Sequence, residues 1–283
     1  MWKDSYLIGN ELLDRQHKLI FECAETLVNV LKLDLDFDEY VMQITEAIRF
    51  FKVFSVQHFK DEEEYQRQIG YKDREEHARM HTQLLADVLT HERALVSRGF
   101  QQEDVEKFLG FLMTWLVYHV AGEDQKMKGA FAEQSTEGLD AISSFAEAAK
   151  HVLLTMTGLS DGEIRPDFSK NRRIDEGVSF KVGLVGAGDK KGIGLVYSNI
   201  IALGAIWAMT GMEFEEINEM VHSALQEMSN ILSSRIANAV AKGVGSSFID
   251  IEHPVMSEIS EIPRGEDNFI MVTSLGDLEI TVY

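Results

Sequence analysis

His58-Phe59-Lys60-Asp61-Glu62, followed downstream by His77-Ala78-Arg79-Met80-His81, places two pairs of metal-competent donors at a spacing of four residues. Side chains at i and i+4 lie one above the other on a helix, so each pair converges on a point beside its own helix axis. Outward from these pairs, His17 lies upstream, and His119 with Asp124 lies downstream at a spacing of five. Five residues turn an ideal helix through about 500°, which leaves Asp124 about 140° away from His119. A shared ligand set therefore needs a widened turn or a loosened helix end at this point, and Gly122 permits one. Five imidazoles and two carboxylates exceed the needs of one ion and suit two metals bridged by the carboxylates. Without thiolate, the donors favour iron, manganese or zinc. His91, in the charged run His91-Glu92-Arg93, has no partner at such a spacing and reads as a surface residue.

The surrounding chain supplies helices to carry these donors. No proline occurs before Pro166, and four amphipathic stretches, about Glu11 to Leu33, Asp38 to Gly70, Asp73 to Ser97 and Gln102 to Lys128, predict an antiparallel four-helix bundle with short connections. The texture then changes. A further helix is expected from about Asp140 to Thr157 and a long one from about Glu215 to Ala241. Strands are expected over Val178 to Leu184, Ile193 to Tyr197, Phe248 to Ile251, Phe269 to Val272 and Leu278 to Val282. The run Ile193 to Met209 is broken by Gly194, Ser198, Asn199 and Gly204, so it reads as a buried strand and a capped helix, not a membrane span. The fold class is two domains, a helical bundle over residues 1–133 and a mixed α+β domain over 140–283 with a β-sheet packed on long helices. Residues 134–139 are expected to be a linker.

Composition narrows the function. The chain has 283 residues, 45% of them apolar, and 47 acidic against 27 basic side chains give a formal net charge of −20. This sign repels phosphate backbones and anionic headgroups, so neither nucleic acid nor a membrane surface is an expected partner. Cys23 is the single cysteine, and the opening MWKDSYLIGN lacks a basic-then-apolar secretory pattern, so a reducing cytoplasm is the expected location.

On the long helix near the C-terminus, Ile217, Val221, Ala224, Met228, Ile231 and Ile236 recur at helical spacing and define an apolar face. Ser223, Glu227, Asn230 and Ser234 form a polar stripe beside it. Asparagine is a poor residue for a helix interior because its side chain competes for backbone hydrogen bonds, so Asn230 suggests a surface made for contact; a plain solvated face is the competing reading.

In the first half, the order H…H-x-x-x-E…H-x-x-x-H…H-x-x-x-x-D resembles the ligand signature of hemerythrins, in particular their bacterial branch. Asp14-Arg15-Gln16-His17-Lys18, His58-Phe59 with Glu62-Glu63, Gly70-Tyr71, and Trp115-Leu116 before His119 match its flanks. The resemblance covers about residues 1–133. It implies a non-haem di-iron centre in which His77, His81 and His119 hold one iron and His17 and His58 the other, with Glu62, Asp124 and a solvent-derived oxygen bridging them. It further implies dioxygen as the ligand, bound in a dry pocket for which Phe59, Leu116 and Val120 are candidates.

The second half resembles the CheC/CheX/FliY group of response-regulator phosphatases. Its E-x-x-N mark is met by Glu227 and Asn230, with Ser223 four residues earlier and Pro254 later, one residue beyond the usual spacing. One such helix favours the CheX type. The resemblance implies hydrolysis of the aspartyl phosphate of a CheY-type regulator in chemotaxis, with Mg2+ on the partner only. Asn230 would orient the attacking water, Glu227 would pair with a lysine of the partner, and the domain would form a homodimer. The whole would then be an oxygen-binding sensor joined to a phosphatase. The alternative is a non-catalytic oxygen- or iron-binding protein, for scavenging or storage, whose second domain only docks a signalling partner.

Overall fold

The computed structural model describes residues 1–128, 139–169, 172–187, 191–243, 249–263 and 267–283, in two compact units, Met1–Ala132 and Glu133–Tyr283. The expected linker, apart from Leu139, lies outside the described residues.

The first unit is helical: α1 (Glu11–Val30), α2 (Phe37–Ile69), α3 (Arg74–Arg98) and α4 (Gln102–Tyr118). Local chemistry sets the ends. The Asn10 side chain accepts from the Leu12 and Leu13 N–H groups to start α1, and Asp36 accepts from Glu39 N–H to start α2. Gly70 and Gly99, at φ of 66° and 73°, close α2 and α3 in the left-handed conformation that favours glycine. α1 packs on α2 and α4, α2 on α3, and α3 on α4. The ring closes over Leu13, Ile20, Leu27, Ile44, Ile48, Leu84, Val88, Phe108 and Leu112, all buried.

The fourth helix carries the widened turn that the spacing of His119 and Asp124 requires. Its α-helical part ends at Tyr118, and the chain continues as a π turn, His119–Glu123, and then a 3-10 turn, Asp124–Lys128. A π turn closes i→i+5 bonds and so brings residue i+5 nearly over residue i. The Gln125 Nε2 donates to the carbonyls of Val120 and Tyr6, each at 2.9 Å, which pins this segment to the N-terminal arm. His91 differs from expectation: it is half-buried, with its ring stacked on Phe111 at 4.9 Å.

The second unit has α5 (Ala141–Thr157), β1 (Ile164–Asp167), β2 (Gly177–Val185), β3 (Gly192–Ser198), α6 (Asn199–Thr210), α7 (Glu219–Gly243), β4 (Asp250–Ile251), β5 (Val255–Ser257), β6 (Asp267–Thr273) and β7 (Gly276–Val282). All strand pairings are antiparallel, in the order β1-β6-β7-β3-β2-β4, with β5 also on β2. α5, α6 and α7 pack on one another and on the sheet.

β3 reads as a continuous apolar run because both its faces are covered. Tyr197 reaches α7, where its hydroxyl lies 2.9 Å from the Ser229 Oγ, while Val196 on the opposite face packs with Ile174 and Ile262. Glu279, paired with Val196 across the sheet, is buried on that face, where it is ion-paired with Arg173 and accepts from the Ile174 N–H at 3.0 Å.

Two strands fall outside the sequence expectation. β1 contains Pro166, which cannot donate to a ladder, and it sits at the sheet edge on β6 alone. β5 is three residues long and leaves Val255 and Met256 exposed, too short for an alternation to register. The long helix starts at Glu219, not near Glu215, because Asn218 accepts from the Val221 N–H and caps it, so Ile217 precedes the helix. Of the strand expected over Phe248 to Ile251, Asp250–Ile251 is present and Phe248 lies outside the described residues.

Candidate metal centre

α1 carries His17, α2 carries His58 and Glu62, α3 carries His77 and His81, and the π turn with the residue after it carries His119 and Asp124. The structure brings all seven together. Six of them form two overlapping donor groups, Glu62–His77–His81–His119 and His17–His58–Glu62, and Asp124 lies against both. Glu62 spans both: its Oε1 lies 2.6 Å from His77 Nε2, while its Oε2 lies 3.3 Å from His58 Nε2 and 3.5 Å from His81 Nε2. Asp124 spans them likewise, with Oδ2 3.1 Å from His17 Nε2, and Oδ1 3.2 Å from His119 Nε2 and 3.3 Å from His77 Nε2. The widened turn therefore places His119 and Asp124 on one face, as their spacing requires.

Each of the seven is buried. Hydrogen bonding among themselves does not satisfy them: both ring nitrogens of His17 and His77, Nδ1 of His119, both oxygens of Asp124 and Oε2 of Glu62 have no hydrogen-bond partner among the described residues. Buried polar atoms left this way are costly unless something else occupies their lone pairs. A cluster of imidazoles and carboxylates with inward-facing lone pairs fits divalent or trivalent cations of the iron, manganese and zinc type.

Outer hydrogen bonds orient the rings. The His58 Nδ1 lies 3.0 Å from Gln16 Oε1, the Gln16 Nε2 donates to Asp61 at 2.7 Å, and the His81 Nδ1 lies 3.1 Å from Glu63 Oε1. These acceptors hold the ring proton on Nδ1 and turn Nε2 inward as a donor. Gln66 Nε2 donates to Glu62 Oε1 at 2.8 Å. Phe59 stacks on His81 at 3.9 Å and Trp115 on His119 at 4.3 Å; Phe59, Leu116 and Val120 are all buried. The outer roles of Gln16, Glu63 and Gln66 were not read from the sequence. Gln66, four residues beyond Glu62, had the one signal available, since i and i+4 share a helical face.

Burial works to raise the Glu62 carboxyl, but the charge on His77 beside it, with the close polar approach of the His119, His58 and His77 rings, holds it well below the ordinary range. Asp124 is lowered in the same way: burial and the Glu62 charge oppose ionisation, and His119, His17 and His77 prevail. His77 is desolvated, yet the two carboxylates outweigh this and raise it to about 10. Burial pushes His119 down to about 4.

Two consequences follow for the metal-free protein. His77, raised above its unfolded value of about 6.5, contributes stability that is fully present below that pH and is lost as pH rises through about 10. Because a metal requires the lone pair that this proton occupies, loading at pH 8 is expected to release about one proton per chain from His77, and affinity is expected to climb toward pH 10. Indicator titration in weak buffer checks this, with proton-neutral uptake as the contrary result.

The model of the Hemerythrin HHE cation binding domain matches residues 8–131. A Hemerythrin-like protein of Naegleria gruberi is 30% identical over 128 residues, covering 45% of this chain and 90% of that protein. The chain belongs to the hemerythrin family. A Bacteriohemerythrin of Clostridium acetobutylicum is 28% identical over 126 residues, 44% of this chain and 96% of that protein. These matches fall on the hemerythrin unit. Solved structures similar to the other half of the chain include the chemotaxis protein CheX from Vibrio vulnificus, at a TM-score of 0.41 and 22% identity over 50% of this chain and 97% of that one. A CheX-CheY-BeF3-Mg+2 complex from Borrelia burgdorferi gives 0.40 and 23%, over 51% and 97%.

Outside the hemerythrin unit, Glu227 and Asn230 sit one turn apart on α7, with Asn230 Nδ2 3.4 Å from Glu227 Oε2. The stripe is not uniformly solvated as a plain surface face would be: Ser223 and Glu227 are buried, Asn230 is half-buried and Ser234 is exposed. Pro254 is brought to the same helix, its carbonyl accepting from Gln226 Nε2 at 2.8 Å. No helix among the described residues is long and apolar enough to cross a membrane.

Proposed function

We propose that this chain is a cytoplasmic dioxygen sensor in which an antiparallel four-helix di-iron bundle is joined to a phosphatase acting on the aspartyl phosphate of a CheY-type response regulator. The observation that carries the first half is the pair of donor groups sharing Glu62. His77, His81 and His119 would hold one iron, His17 and His58 the other, with Glu62 and Asp124 across both. The iron pair, when bound, supplies reversible two-electron chemistry toward dioxygen. The chain's own part is to orient the rings through Gln16 and Glu63 and to keep water out with Phe59, Leu116 and Val120, which are buried beside or near the donors.

The second half of the proposal rests on the E-x-x-N pair. An aspartyl phosphate bound with magnesium on its own protein is already activated, so an accelerator needs only to place a water in line with the leaving oxygen. The half-buried Asn230 carboxamide, within reach of Glu227, has the polarity and restraint for that task, and Glu227 can meet a lysine of the partner. The resemblance also implies a homodimer through this unit. The outer side of α6, free of charged residues and showing Ile200 and Trp207 to solvent, is an apolar surface that suits one.

Dephosphorylation rates of one phosphorylated regulator, measured with the reduced iron-loaded protein under argon and under air, test the joined function. A difference of at least about fivefold is expected from an ordinary allosteric coupling. Equal rates would remove the sensing role while leaving both activities standing.

A further inference from the structure

Gln66 lies in the last turn of α2 and is wholly buried. Its Nε2 donates to Glu62 Oε1, the oxygen that also approaches His77 Nε2 at 2.6 Å. Its Oε1 is buried without a hydrogen-bond partner among the described residues. The backbone of the same residue is tied down as well: its carbonyl accepts from the Tyr71 N–H at 2.9 Å, and the Tyr71 ring meets the His77 ring edge-on at 6.1 Å.

Stability alone does not account for an amide here. A buried polar atom without a partner is destabilising, and a methionine of similar length would fill the same space without leaving one. What the amide adds is one donor aimed at one oxygen of a carboxylate that has work on both sides. Glu62 must keep Oε1 toward His77 while Oε2 faces His58 and His81, and a free carboxylate can rotate about its terminal torsion over a broad range.

We infer that Gln66 is a positioning residue of the metal centre, which locks the Glu62 carboxylate across the two donor groups through the Nε2–Oε1 hydrogen bond. This rests on the reading that the cluster holds metal. A neutral donor on Oε1 fixes the direction of the carboxylate plane without adding charge. It also leaves Oε2 the more available electron pair, so the two oxygens of Glu62 are made unequal. Gln16 and Glu63 act on rings; Gln66 acts on a carboxylate common to both groups.

The test compares wild-type protein with Gln66→Met, a near-isosteric change that removes the hydrogen bond. Ferrous affinity, measured by competition with a chelator, is expected to fall about 10–100-fold, the range seen when outer-shell partners are removed. The thermal midpoint of metal-free protein is expected to stay close to wild type, because the donor lost to Glu62 Oε1 is offset by removal of the unpartnered Gln66 Oε1. A merely structural glutamine would instead lower the midpoint and spare the affinity. Cobalt(II) serves as an optical probe: its visible bands are expected to change in Gln66→Met as Glu62 turns. Gln66→Asn, one methylene too short to reach, carries the same affinity test if the methionine variant does not fold. Wild-type affinity and unchanged cobalt bands in the variants overturn this inference alone. A wild-type chain that takes up no iron or cobalt overturns the metal reading and this inference with it.

Discussion

Replacing Glu62 by glutamine is expected to reduce ferrous uptake by the whole chain from about two equivalents to well under one. Among the described residues Glu62 belongs to both donor groups: Oε1 lies toward His77 of one, and Oε2 toward His81 of that group and His58 of the other. Glutamine keeps the volume but loses the charge and one of the two equivalent donors. The fold should survive, because the histidines left behind can shed their protons: His77 is held at about 10 by Glu62 and Asp124 together, and loses most of that support. Breaking a buried charge network by removing one partner can cost about 3–5 kcal/mol, but that figure belongs to partners that must stay charged. Iron content after anaerobic loading and desalting, beside the circular-dichroism melt of the metal-free variant, is the measurement. Two irons per chain in Glu62→Gln would end the proposal of a carboxylate-bridged pair.

Asn230→Ala is expected to slow dephosphorylation of the regulator by about 10²-fold, the scale on which a misplaced nucleophile reduces rate. Binding of the phosphorylated partner should change by less than about threefold, since the half-buried carboxamide is small beside a docking surface. Glu227→Ala should show the opposite split, with weaker binding as the larger effect, because a charge that meets a partner's lysine acts in docking. Single-turnover decay of phosphorylated regulator at several concentrations separates the two quantities. If Asn230→Ala binds and hydrolyses as wild type does, the unit only docks its partner, and the catalytic proposal falls.

The clustering of the imidazoles and carboxylates was legible in the sequence because helical spacing converts directly into direction. Four-residue pairs on α2 and α3 share a face by geometry alone, and the five-residue pair His119 and Asp124 could be reconciled with them only through a widened turn, which is present. Burial and the outer hydrogen bonds were less legible. Gln16 and Glu63 are sequence neighbours of His17 and Glu62, yet they act on His58 and His81, residues of a different helix in each case. No spacing rule within one helix reveals contacts of that kind. In the second unit, the apolar strands and the capped α6 were readable, and Ser198 does cap α6 by accepting from the Ile201 N–H. β1 was hidden by Pro166, whose meaning depends on lying at an edge, and β5 by its brevity. His91 looked solvated among charged neighbours, whereas tertiary packing against Phe111 decides its surroundings.

The π turn has an implication for how the end of the helical unit is compared with relatives. One extra residue per loop means that the angular frame is reset at His119–Glu123, so positions before and after it no longer share a common phase. A helical wheel drawn straight through would put Asp124 on the outside and misassign inward and outward residues as far as Lys128. A sequence that keeps the H-x-x-x-x-D spacing therefore aligns through Ala121 and Gly122 without a gap, and inserting one there would move Asp124 out of register with its counterpart.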